Sequence, residues 1–123
     1  MKSSSDAFAN VKAIALALPD VESGTKYDGS PVLRVGGAFM AGLAKDGSAE
    51  PHTLVVRIGL DERHALLEDA PEVYYLTEYY QPHPVVLVRL SKIDHDALRD
   101  LLAVARRRTL PKARRGRLTS CAH

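Results

Sequence analysis

Residues 31–43 read Pro31-Val32-Leu33-Arg34-Val35-Gly36-Gly37-Ala38-Phe39-Met40-Ala41-Gly42-Leu43. Two short β-rich runs flank Gly36-Gly37, a pair that tolerates the positive φ of a two-residue hairpin turn. The row therefore predicts strands over Pro31 to Val35 and Ala38 to Leu43, paired antiparallel. Downstream, Thr53 to Ile58 alternates as a third strand. Its Leu54, Val56 and Ile58 share one face, and its Thr53, Val55 and Arg57 share the other. The connection, residues 44–52, carries Asp46-Gly47 and reads as a looser, projecting hairpin.

Asp61 to Asp69 follows as a short helix, with Asp61 as its cap and Ala65, Leu66 and Leu67 as its buried side. Val73 to Leu76 and Val85 to Leu90 read as two more strands. The link between them, Thr77-Glu78-Tyr79-Tyr80-Gln81-Pro82-His83-Pro84, has the composition of a rigid projecting loop. An opening helix is capped by Ser4 or Ser5, presents Phe8, Val11, Ile14, Ala15 and Leu18 as an apolar stripe, and stops before Pro19. A closing helix is capped by Asp94, with Ile93 and Leu98 as a hydrophobic staple and Leu98, Leu101, Leu102 and Ala105 as its apolar face.

The expected order is α-β(3)-α-β(2)-α. Three one-sided helices on one face of a five-stranded antiparallel sheet make a two-layer α+β sandwich, with the other sheet face open. Leu18, Phe39, Leu54, Val56, Val88 and Leu101 are expected to be buried together. Residues 1–110 form the single domain, and residues 111–123 form a basic tail, expected to be flexible and to lie beyond the helix that Pro111 ends.

Composition narrows the class. The chain has 123 residues, 46% hydrophobic and 26% charged, which excludes disordered, collagen-like and disulfide-scaffold chains. No apolar run approaches the roughly 20 residues of a membrane span. The start of the chain has no secretory pattern and Cys121 stands alone, so a cytoplasmic protein is expected.

The formal charge of +2 conceals an asymmetry. Residues 1–105 hold 10 basic and 15 acidic side chains, whereas Arg106, Arg107, Arg108, Lys112, Arg114, Arg115 and Arg117 follow with no acid among them. Such a tail suits phosphate contacts. The plainer reading, for Arg106 to Arg108, is a complement to the negative end of a helix.

Three strands each place one arginine opposite the core side: Arg34, Arg57 and Arg89. With Val55, Val85 and Leu87 they make a face suited to an anionic, partly flat ligand. The plainer reading is solvent-facing arginine whose stem covers apolar surface. Tyr74, Tyr75, Tyr79 and Tyr80 cluster along the chain. Tyr79 and Tyr80 in the loop can stack on bases, or can stiffen the loop against its prolines. His52, His64, His83, His95 and His123 show no metal-ligand spacing, and no catalytic triad, nucleophile elbow or phosphate-binding loop is present. No cofactor and no enzymatic activity are expected.

Several stretches in order carry a family resemblance: ALALPDVESGTKYDGSPVLRVGGAFMAGL, then LVVRIGLDERHALLEDAPEVYYLTEYYQPHPVVLVRL, then a closing helix ending ARRRTLPK. Leu18-Pro19, Val35-Gly36, Ala70-Pro71-Glu72, and Tyr79-Tyr80 leading to Val86-Leu87-Val88-Arg89-Leu90 are its most telling pieces. Over residues 8–113 the chain resembles the MmcQ/YjbR-like family of small bacterial proteins. The resemblance implies a secretion-chaperone-like α-β(3)-α-β(2)-α fold and a double-wing DNA-binding role. The wings map onto loops 44–52 and 77–84, with Arg34, Arg57 and Arg89 between them. Here Val35-Gly36-Gly37-Ala38-Phe39 lacks the lysine that members often carry after the glycine, and Pro84-Val85 stands where they often have tryptophan.

Double-stranded DNA is thus the expected partner, through Arg34, Arg57, Arg89, Tyr79, Tyr80, Arg106, Arg107, Lys112, Arg114 and Arg115. The alternative is a domain that binds a small molecule or a protein, or that homodimerises through the open face; the acidic body favours it. No membrane partner is expected.

Overall fold

The structure, a computed structural model, describes residues 4–25, 30–44, 47–50 and 52–120, with backbone alone for 4–7 and 111–120. Its elements are α1 (Ser4–Leu16), β1 (Val21–Thr25), β2 (Pro31–Val35), β3 (Ala38–Leu43), β4 (Thr53–Arg57), α2 (Leu60–Asp69), β5 (Tyr74–Tyr75), β6 (Val85–Arg89) and α3 (His95–Ser120). The strands form one antiparallel sheet in the order β1-β2-β3-β4-β6-β5. The fold is α+β, as expected, with six strands in place of five.

The added strand is β1. Val21-Glu22-Ser23-Gly24-Thr25 has little β propensity and no clean alternation. It pairs because β2 offers an open edge, with Val21 opposite Val35 and Thr25 opposite Pro31. The hairpin turn falls at Gly36 and Gly37, both at positive φ (56° and 82°).

Helices cover one face. Phe8, Val11 and Ala15 of α1 and Leu98, Leu101, Leu102 and Ala105 of α3 close over Leu33, Val35, Leu54, Val56, Val86 and Val88. Leu18 packs at the margin of this core. Phe39 does not belong to it. The β2–β3 register shifts at Leu33/Arg34, so Leu33 pairs with Ala41 while Arg34 pairs with Phe39. Met40 is the extra residue of this bulge and fills the core in its place.

Two helix boundaries differ from expectation. Gly59, not Asp61, caps α2, which places Asp61 and Glu62 in the first turn, where the helix dipole favours acids. No residue of α2 is fully buried; Leu66 and Leu67 reach the core as partly buried side chains, and Ala65 is exposed. Asp94 caps α3 as expected, its Oδ1 accepting from the Ala97 N–H at 2.7 Å. The helix then continues through Pro111 to Ser120. A proline removes one helical hydrogen bond. Buried Thr109, whose Oγ1 donates to the Ala105 carbonyl at 2.7 Å, and packed Leu110 anchor the turn just before it. Lys112, Arg114, Arg115 and Arg117 therefore lie on the continuing helix and not beyond it. Cys121 and His123 lie outside the described residues, as do Lys45, Asp46 and Pro51 of the first loop. No helix among the described residues is long and apolar enough to cross a membrane.

Candidate nucleic-acid interface

The sheet face away from the helices carries Glu22, Arg34, Phe39, Thr53, Val55, Arg57, Tyr75, Val85, Leu87 and Arg89, as their pairings require. Register divides its arginines. Arg57 faces Val85 at one end of the β4–β6 pair, and Arg89 faces Thr53 at the other. Four residues of strand separate those two positions, roughly 13 Å. Arg34 faces Phe39 on β3, whose carbonyl accepts from Arg57 Nε at 2.8 Å. Arg34 and Arg57 thus share one end of the face, on either side of Phe39. Arg89 does not join them.

Arg89 is fully engaged inside the molecule. Its Nε and Nη2 donate to the two carboxylate oxygens of Glu50 at 3.0 and 2.9 Å. Its Nη1 donates to the carbonyls of Pro71 and Glu72 at 3.1 and 3.2 Å. Its guanidinium lies 4.3 Å from the Tyr75 ring centroid. The hydrogen bond from Arg89 holds the Glu50 carboxyl below its usual value, and the same bond raises Arg89. Tyr75 completes the clasp: its hydroxyl accepts from the Glu50 N–H at 2.8 Å and bonds Thr53 Oγ1 at 2.6 Å. This network fastens loop 44–52 to the sheet.

Loop 77–84 is fastened separately. Arg63 Nη1 on α2 donates to the carbonyls of Gln81, His83 and Val85 at 3.2, 2.8 and 3.3 Å. Ser48 and Thr77 join the two loops through their hydroxyls at 2.9 Å. Tyr80 turns inward and packs on Val55, Val85 and Leu87, 9% exposed, with Phe39 and Tyr75 beside them. Tyr79 remains 58% exposed, its ring edge-on to Tyr80 at 4.9 Å. Of the loop tyrosines, only Tyr79 is placed to stack on a ligand. The loop closes part of the outer face instead of projecting from it.

The end of α3 reaches the Arg34/Arg57 end of the sheet. Arg106 Nε donates to the Pro19 carbonyl at 2.6 Å, just before β1 begins, and its Nη2 stands 3.5 Å from Asp20. Arg108 bonds Glu62 at 2.7 Å beside Gly59, just after β4 ends with Arg57. Arg108 holds Glu62 below the usual carboxylate range. Arg107 is exposed. The helix continues past this end for residues 111–120, about 15 Å at the helical rise.

Among the described residues, neither Arg34 nor Arg57 forms an ion pair. Arg34 lies over Gly24, where an added Cβ would sit 2.8 Å from Nη1. Sequence reading missed three participants: Phe39, whose face depends on a bulge with no sequence mark, and the clasp residues Glu50 and Arg63, which look like ordinary surface charges. Among the described residues no group of three or more His, Cys, Asp or Glu could hold a metal ion.

A family model, YjbR, matches residues 16–108. Uncharacterized proteins of Mycobacterium bovis and Mycobacterium tuberculosis are similar to this chain, at 33% identity over 73 residues, covering 57% of this chain and 57% of theirs. The chain thus spans just over half the length of these relatives. No solved structure matches.

Proposed function

The chain belongs to the YjbR family, and from that premise we propose that it binds double-stranded DNA through the Arg34/Arg57 end of its outer face together with the basic end of α3. One observation carries the reading. Arg34 and Arg57, in no ion pair among the described residues, and the helix bearing Lys112, Arg114, Arg115 and Arg117 lie at the same end of the molecule. Cationic side chains are what a phosphate backbone selects, because each contact releases condensed counterions. Tyr79, exposed on its loop, adds a hydroxyl able to hydrogen-bond a phosphate oxygen. Arg89 and Tyr80 hold the loops in place, and Arg106 holds the junction between α1 and β1.

Homodimerisation through this face is the weaker alternative, because Tyr80 already covers the Val55, Val85 and Leu87 patch. The acidic remainder of the body restricts contact to the basic end. The expected binding is electrostatic and indifferent to sequence, with Kd on the order of 10⁻⁴ to 10⁻⁶ M at physiological salt. Fluorescence anisotropy of a labelled generic duplex across a salt series tests it. A steep fall in affinity with rising salt is expected; no binding at low salt removes the DNA reading.

A further inference from the structure

On the helix-covered side, α2 and α3 do not close fully on each other. They leave a cleft of about 350 Å³, walled by Ile58, Ala65, Leu66, Ala97, Leu101 and Val104, with Glu62 and Asp100 also on its boundary. Its origin is in the sequence of α2: Leu60-Asp61-Glu62-Arg63-His64-Ala65-Leu66-Leu67-Glu68-Asp69 has too few apolar residues to bury any of them fully. The volume falls within the roughly 300–1,000 Å³ of small-molecule sites, near the low end.

Tyr74 also lines this cleft. It is only 6% exposed. Its hydroxyl forms no hydrogen bond among the described residues, yet no buried side-chain oxygen there is left unsatisfied. The hydroxyl is therefore not fully enclosed, and Tyr74 is among the residues lining the cleft. Burial, reinforced by Asp94, pushes this phenol up, so it keeps its proton at neutral pH. A phenol that makes no hydrogen bond within the described residues can give its proton to the acceptor of a bound molecule.

We propose that the α2–α3 cleft binds an uncharged, mainly apolar small molecule carrying one hydrogen-bond acceptor, which the Tyr74 hydroxyl engages. The charges on the cleft select against ions. Glu62 is kept ionised by Arg108 and Asp100 adds a second carboxylate, so an anion is repelled. A cation gains little, because Glu62 is already paired and Asp100 is exposed and 3.5 Å from Arg99. The apolar walls favour a ring or short branched chain, and the single polar partner favours a carbonyl. The cleft lies across the sheet from Arg34 and Arg57, and none of the residues proposed to contact DNA lines it, so the two readings stand or fall separately.

Acetophenone and ethylbenzene, which differ mainly in the carbonyl, serve as probes, titrated into the isotopically labelled full chain and followed by methyl NMR. Acetophenone is expected to shift the Leu66, Leu101 and Val104 methyls with Kd about 1 mM, as its size allows. Tyr74→Phe should weaken acetophenone roughly two- to tenfold, the worth of one hydrogen bond, and leave ethylbenzene within about twofold. Ala97→Phe, which fills the cleft, should abolish both sets of shifts. No shift of these methyls up to about 10 mM probe, an equal loss of both probes in Tyr74→Phe, or full binding by Ala97→Phe overturns the proposal.

Discussion

The two ends of the outer sheet face carry the same residue type to different effect. At one end Arg89 meets a bidentate carboxylate, two carbonyls and an aromatic ring, and its charge is consumed in fixing loop 44–52. At the other end Arg57 gives one hydrogen bond to a carbonyl and neither it nor Arg34 meets a carboxylate among the described residues. All three occupy the same place in a strand's alternation. What separates them is the neighbouring loop: Glu50 is delivered to Arg89, whereas among the described residues Arg57 meets no carboxylate and Glu22, across the strand from Arg34, forms no ion pair with it. An arginine on an exposed sheet face is a ligand contact only where its own fold leaves its charge unanswered.

The largest expected effect concerns the end with unanswered charge. Removing residues 111–123 takes away Lys112, Arg114, Arg115 and Arg117 while sparing buried Thr109 and packed Leu110. Duplex affinity should fall by up to about three to four decades at 0.1 M salt, with the log–log salt slope reduced by up to about 3.6. The thermal midpoint should hardly change. An unchanged salt slope would place the binding charge elsewhere.

Tyr80→Ala tests the clasped end next. It removes a 9% exposed ring from the packing over Val55, Val85 and Leu87 and should cost about 2–4 kcal/mol of stability. Tyr79→Ala, at an exposed ring, should cost less than about 0.5 kcal/mol. Urea melts of the two variants measure the difference; equal costs would erase the distinction between the tyrosines.

Arg89→Ala should destabilise by about 2 kcal/mol through the lost charge-assisted hydrogen bonds, with a further penalty at Tyr75. A melt indistinguishable from wild type would mean the clasp holds nothing.

The smallest effect is in pH. Glu50 is held below its ordinary value of 4.5 when folded. A carboxyl depressed on folding contributes stability that is present above its unfolded pKa and lost as pH falls through its folded one. Glu50→Gln should therefore lower stability slightly at neutral pH and flatten the decline seen below about pH 4.5, read as urea midpoints against pH.

Sequence periodicity located most of the fold because its core strands alternate cleanly: Leu54, Val56, Val86 and Val88 all face the helices. It failed at β1, whose pairing comes from the open edge of β2 and not from its own residues. It failed at Phe39, where one bulged residue reverses the face of all that precedes it in the strand. The helix stop at Pro111 was misplaced because the buried turn before it holds the helix on course. Of the proposed site, charge and alternation placed Arg34 and Arg57 on the outer face, as the register has them. The engagement of Arg89 depends on Glu50, 39 residues away in sequence, a pairing that no local pattern announces.

The contrast between the two ends is tested most directly by comparing Arg34→Ala/Arg57→Ala with Arg89→Lys on a labelled duplex at 0.1 M salt. The double variant should keep its thermal midpoint close to wild type and lose roughly tenfold in affinity per contact, with the salt slope reduced by about 1.8. Arg89→Lys should keep its affinity and lose stability, since lysine cannot make the bidentate pair. If the double variant binds as wild type does while Arg89→Lys releases the duplex, the binding end has been assigned to the wrong arginines.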